Sequence, residues 1–194
     1  MKDVAILTRL FADVLNELGL EQSDPNLFNT PQRLAKMYLD LFENVGKEFI
    51  NVTSFPNTEK YDQIIISDRI FFSSMCAHHF LPFMGRAWIL YVPNNDLIGA
   101  SKMVRLVRFY SKRPQIQERL THDIGNRLMK VLNPKGVMVV MSAIHGCMVC
   151  RGVQQEGGSS MITSAIWGCF SDPTIKSEAM SLLNLSSGIK TIGG

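Results

Sequence analysis

Val4, Leu7, Leu10, Phe11, Val14, Leu15 and Leu18 recur at the three-and-four spacing of one helix face, and Gly19 marks a stop. Residues 23–29 are polar and read as a loop. Thr30 is the expected cap of a second helix, with Pro31 at its first position. Leu34, Met37, Tyr38, Leu41 and Phe42 give that helix its apolar face. The two helices make an expected N-terminal layer over residues 1–46.

From residue 60 the pattern changes. Residues 63–76 are rich in Ile and Phe and predict a strand. A turn at Leu81 and Pro82 leads to a partner strand over 83–93, so the pair forms a hairpin. Residues 94–99 read as a loop. A helix is expected over 101–112, with Met103, Leu106, Val107 and Tyr110 on one face. Pro114 ends it and starts another, striped by Ile116, Leu120, Ile124, Leu128 and Leu132. After a turn at 133–136, strands are expected over 137–147 and 160–170, joined through polar residues 154–159. A short helix over 173–183 precedes a Ser/Gly-rich tail. The order β-β-α-α-β-β predicts an α+β fold, an antiparallel sheet with two helices on one face. Residues 60–171 form its core and 172–194 a C-terminal helix and tail. No linker divides the chain, so 1–194 reads as one domain.

Composition adds boundaries. A chain of 194 residues with 46% hydrophobic and 19% charged positions suits a domain with a proper core. A formal net charge of +3 is too mild to argue for nucleic acid. It suits a small anionic substrate if the basic residues converge. No stretch is apolar enough for a membrane span. Lys2, Asp3, Arg9, Asp13 and Glu17 interrupt the first twenty positions, so no signal peptide is expected. Four cysteines then read as reduced cytoplasmic thiols, either metal ligands or buried residues.

Two short segments concentrate chemistry: Cys76-Ala77-His78-His79 and His145-Gly146-Cys147. In a strand over 137–147, period two puts His145 and Cys147 on one face. The spacing of Cys76 and His79 lets both converge on one ion in a turn. Taken singly, each half-site could instead be a buried thiol or a core histidine. Cys150 offers a closed site with Cys76, His79 and Cys147. A continuing strand would turn Cys150 to the opposite side, and a closed site would leave His78 and His145 without a role. The preferred set is therefore Cys76, His79 and Cys147 around zinc (Zn2+), with water in the fourth place. Cys169 is expected to pack.

Ser101, Lys102 and Arg105 open a helix, where free N–H groups and the dipole favour phosphate. Arg151 could join them. The alternative is a solvated cationic face, to which Arg108, Lys112 and Arg113 are assigned; Arg33 shares the ambiguity. Gln117 and Glu118 sit in a first helical turn. There the carboxylate either complements the dipole or grips a donor-rich base such as guanine.

In order, these residues resemble GTP cyclohydrolase I. The resemblance covers about residues 30–170: Thr30-Pro31-x-Arg33, Ser74-Met75-Cys76-x-His78-His79-Phe80, Ile98-Gly99-x-Ser101-Lys102, and Arg113-Pro114-Gln115-x-Gln117-Glu118-Arg119-Leu120. His145-x-Cys147-Met148-x-x-Arg151-Gly152-Val153 and Thr163-Ser164 complete it. It implies a tunnelling fold (T-fold) and a toroidal homodecamer with active sites between subunits. It implies Cys76, His79 and Cys147 as zinc ligands and His78 and His145 as proton-transfer residues. It also implies Glu118, with Gln117, at the guanine. Ser101, Lys102, Arg105, Arg151 and Arg33 would hold the triphosphate. The implied reaction hydrolyses GTP at C8, releases formate and gives 7,8-dihydroneopterin triphosphate. The family usually has Glu where this chain has Ala77. Two other readings are a T-fold relative acting on another purine or pterin, such as a deazapurine nitrile reductase, and a non-catalytic nucleotide-binding member. The Cys/His set argues against the first, and only Ala77 favours the second.

Overall fold

The computed structural model describes residues 3–21, 23–50, 52–156 and 160–188. Residues 157–159 of the expected polar connection and the tail beyond 188 lie outside these. Contacts divide the chain into two compact units, Met1–Val45 and Gly46–Gly194.

The first unit holds α1 (Val4–Glu17) and α2 (Thr30–Leu41). The Asp3 carboxylate caps α1, accepting from the Ala5 and Ile6 N–H groups. Phe11 stacks on Tyr38 at 5.2 Å between the two helices. Thr30 is not the cap of α2. Asn29 holds that position without a side-chain hydrogen bond, and Thr30 is already helical. Pro31 has no N–H to satisfy and its φ is set for a helix, which lowers the need for a capping side chain.

The second unit is built on a five-stranded sheet. Its long strands are β2 (Ile65–Cys76), β3 (Pro82–Val92), β6 (Gly136–His145) and β7 (Met161–Gly168), each antiparallel to the next; the short β5 (Pro114–Gln115) lies outside β2, giving the order β5-β2-β3-β6-β7. Between β3 and β6 run α3 (Ala100–Ser111) and α4 (Gln117–Leu132). These helices cover one face of the sheet, so the expected β-β-α-α-β-β core is the observed one. Phe72, Phe83, Ile89, Val139 and Met141 meet Leu106, Leu120, Ile124 and Leu128 in that layer. Burying a Leu or Ile contributes about 1.5–3 kcal/mol. Three of them on α4 outweigh the roughly 1 kcal/mol that Gly125 costs mid-helix. Gly125 is there for contact: a Cβ would stand 2.1 Å from the Trp167 ring on β7.

Several boundaries differ from expectation. Pro114 does not start a helix. Pro114–Gln115 form β5, a short parallel edge beside the end of β2, where a residue without N–H is tolerated. The expected loop over 94–99 contains β4 (Asp96–Ile98), paired with β1 (Ser54–Pro56). The strand expected to run through Cys147 stops at His145, and Gly146–Val149 make one helical turn, α5. The C-terminal helix α6 (Pro173–Gly188) is longer than expected. It covers a second apolar cluster of Leu90, Val92, Met138, Phe170, Ala179 and Leu183, against which Cys169 packs. Ser186 pins it, donating to Asp68 at 2.6 Å and accepting from the Trp88 indole at 3.3 Å. Among the described residues no helix is long and apolar enough to cross a membrane.

Candidate active site

Cys76 is the last residue of β2, and the chain turns at once. The Phe80 N–H donates to the Cys76 carbonyl at 2.9 Å, and the Cys76 N–H donates to the Leu81 carbonyl at 2.9 Å. The Ala77 N–H donates to the Gln115 carbonyl of β5 at 2.8 Å, so the edge strand braces this turn. The loop holds His78 and His79, both exposed, with ring centroids 6.3 Å apart.

Cys147 reaches the same end of the sheet from β6, on the far side of β3 from Cys76. β3 and β6 pair with Phe83 opposite His145. At Gly146 the backbone leaves the strand so close to the hairpin that a Cβ would lie 2.8 Å from the Pro82 carbonyl oxygen. Glycine permits that approach and brings Cys147 to Cys76, with the sulfurs 3.9 Å apart. The Cys76 and Cys147 sulfurs and a His79 ring nitrogen all lie within 4.8 Å of one another. All four cysteines are free thiols.

The strand-parity reason for pairing His145 with Cys147 does not hold, because Cys147 lies in a helical turn. The same turn disposes of the argument that set Cys150 aside. Cys150 is exposed, its sulfur lies 2.7 Å from the Gly146 carbonyl oxygen, and it is not part of the Cys76, His79, Cys147 group.

His145 is half-buried beside this group. Its ring stacks on Phe83 at 4.7 Å with only 4° between planes, and its Nε2 lies 2.8 Å from Gln117 Oε1. It also lines an open cavity with Ala143, Met148, Val149, Gln155, Ser160 and Met161. Burial lowers its pKa from the ordinary histidine value, and the charge of Glu118 opposes that shift. Burial likewise raises the Cys147 thiol, with the Cys76 sulfur adding to it and Arg151 acting the other way.

The other expected site residues fall into distinct places. Glu118 is exposed in the first turn of α4, near enough to act electrostatically on His145. Gln117, expected at the guanine with Glu118, has a fully buried side chain whose amide is bonded inside the protein. Ser101, Lys102 and Arg105 occupy the first two turns of α3, with Ser101 and Arg105 exposed. The Gly99 cap makes no side-chain hydrogen bond there. Arg151 is exposed just beyond α5, and Arg33 is exposed on α2 of the first unit. Phe83 and Thr121 had no signal as site residues, because their contacts depend on strand register and helix docking, while Thr163 entered only through the family resemblance.

A family model described as GTP cyclohydrolase I matches residues 7–184. The GTP cyclohydrolase 1 of Rhodopirellula baltica is 37% identical over 187 residues, covering 94% of this chain and 80% of that protein. That of Desulforamulus reducens is 38% identical over 185 residues, covering 94% and 98%. That of Streptococcus sanguinis is 41% identical over 174 residues, covering 89% and 94%. A solved apo structure, the archaeosine synthase QueF-Like, aligns with 62% of this chain and 97% of that one at TM-score 0.39 and 15% identity, too distant to argue from. With a family match across most of its length and relatives of this identity and coverage, the chain belongs to the GTP cyclohydrolase I family.

Proposed function

We propose that this chain hydrolyses GTP at C8 with zinc bound, releases formate and forms 7,8-dihydroneopterin triphosphate. Family membership supports the substrate, and the convergence of Cys76, His79 and Cys147 carries the metal. Two thiolates on a tetrahedral zinc at ~2.3 Å stand about 3.8 Å apart. The observed sulfur separation is 3.9 Å. Two sulfurs and one imidazole suit zinc and leave one of four positions open, as catalytic sites require. When bound, zinc supplies the Lewis acidity that makes water a nucleophile near neutral pH.

The chain's own residues then divide the work. Glu118 accepts from guanine N1–H and the 2-amino group, two donors that match one carboxylate. Ser101, Lys102 and Arg105 hold the triphosphate at the start of α3, where no side chain caps the helix and the dipole favours anions. Arg151 extends that cationic set. His78 and His145 move protons, first to the purine ring and then during ribose opening and ring closure. The working assembly in this reading is a toroidal homodecamer with sites between subunits, and the reduced thiols suit the cytoplasm.

The test is to incubate purified protein with GTP while measuring zinc content, formate, and fluorescent neopterin after oxidation and dephosphorylation. Zinc-loaded protein that makes neither product sinks the reading. Full activity after complete chelation would remove zinc from it.

A further inference from the structure

Gln117 is fully buried on the first turn of α4, yet its side chain has more partners than packing needs. Its amide nitrogen lies 3.1 Å from the Met141 carbonyl, 3.0 Å from the Met161 carbonyl and 3.1 Å from Thr163 Oγ1. Its amide oxygen lies 2.8 Å from His145 Nε2.

Carbonyl oxygens only accept, so the end of the amide that faces Met141 and Met161 must be the nitrogen. Turning the amide over would set its oxygen against two carbonyl oxygens that cannot donate to it. Two threonines reinforce the polarity. Gln117 Nε2–H donates to Thr163 Oγ1, whose hydroxyl donates to Thr121 Oγ1 at 2.7 Å. The Thr121 hydroxyl in turn donates to the Gln117 backbone carbonyl at 2.8 Å. In this ring each hydroxyl donates once and accepts once.

The oxygen that remains can only accept, so the nitrogen it meets must carry a hydrogen. In the neutral ring the proton of His145 therefore sits on Nε2, and Nδ1 keeps its lone pair. Among the described residues no hydrogen bond engages Nδ1. Phe83 fixes the plane of the same ring from one face.

We infer that Gln117 is a positioning residue that holds the neutral His145 ring in the Nε2–H tautomer, leaving Nδ1 as the nitrogen with the lone pair. This deepens the reading in which His145 transfers protons, and rests on it.

The test needs two measurements on the full, zinc-loaded chain. Its four histidines make ring-¹⁵N labelling tractable. Solid-state nitrogen spectra at pH about 8 keep imidazole neutral, and a His145→Asn variant assigns the His145 signals by difference. A protonated Nε2 with a bare Nδ1 is expected; a protonated Nδ1 overturns the inference without any variant having to fold. The second measurement is Gln117→Met, close in shape but without an acceptor. Its kcat is expected to fall by about 10- to 100-fold, part of what a positioned acid–base group supplies. KM and bound zinc should stay as they were. Unchanged kcat in folded Gln117→Met would also overturn it. The spectrum needs no substrate, so a chain that failed to act on GTP would refute the proposed function while the tautomer was still decided.

Discussion

The imidazole of His145 lies flat on the ring of Phe83, with centroids 4.7 Å apart and planes within 4°. The two residues face each other across the β3–β6 ladder, so backbone register delivers the stack. Phe83 is fully buried and so cannot drift. Phe83→Leu keeps an apolar side chain but is smaller and leaves a cavity, so it should cost about 1–3 kcal/mol of stability. It removes the flat wall, and kcat on GTP should fall several-fold while bound zinc is unchanged. Steady-state kinetics beside a denaturation curve checks this; full kcat in a folded variant would make Phe83 a core residue only.

The sulfurs of Cys76 and Cys147 are close enough to share one ion, whereas Cys150 is exposed and outside the group. Cys76→Ser and Cys147→Ser should each lose bound zinc and activity together. Cys150→Ser should keep both. Metal analysis of the three purified variants decides it. Zinc loss in the Cys150 variant would restore the closed four-ligand arrangement that the structure disfavours.

The uneven legibility of this chain has a physical cause. The α3 and α4 stripes were readable because Met103, Leu106, Val107 and Tyr110, then Leu120, Ile124 and Leu128, follow a local period that burial rewards. Ends of elements were not. Whether 137–147 stays extended depends on Pro82, more than fifty residues earlier, pressing against Gly146. Whether Pro114 opens a helix or an edge strand depends on the end of β2 needing a partner. The Cys76, His79 and Cys147 group was reached through strand parity, the need for an open position and the family resemblance; the structure brings the three together, although the parity step fails at the helical turn. Gln117 could not be understood that way. Its meaning lies in His145, Met141, Met161 and Thr163, which only the docking of α4 onto β6 and β7 brings to it.

Glu118 is exposed and sits at the start of α4, where the helix dipole favours its charge without requiring it. Under the proposed reading it grips guanine. Glu118→Gln keeps the shape and removes the charge, and hydrogen bonds to a charged group contribute about 1.5–3 kcal/mol. kcat/KM for GTP should therefore fall by about 10- to 100-fold. Thermal stability should barely move. Unchanged kcat/KM would return Glu118 to its dipole role.

Two glycines separate the demands of the fold from those of the site. At Gly125 an added Cβ would meet the Trp167 ring at 2.1 Å, which only a shift of α4 or of the indole can relieve. Overpacking of this kind costs about 1–3 kcal/mol. Gly125→Ala should lower the denaturation midpoint, and its zinc affinity should hold as long as it stays folded. At Gly146 the added Cβ would meet the Pro82 carbonyl oxygen at 2.8 Å, and the backbone there carries Cys147 towards Cys76. Relief must push α5 away from the hairpin and open the space between the two sulfurs. Gly146→Ala should therefore weaken zinc binding by about tenfold or more, the scale on which the surroundings of metal ligands act, with a smaller loss of stability. Competition with a zinc chelator, run on both variants beside their denaturation curves, reads the two effects separately. If Gly146→Ala holds zinc like the parent chain, the ligands find each other without the close approach at Pro82, and the glycine serves only the turn.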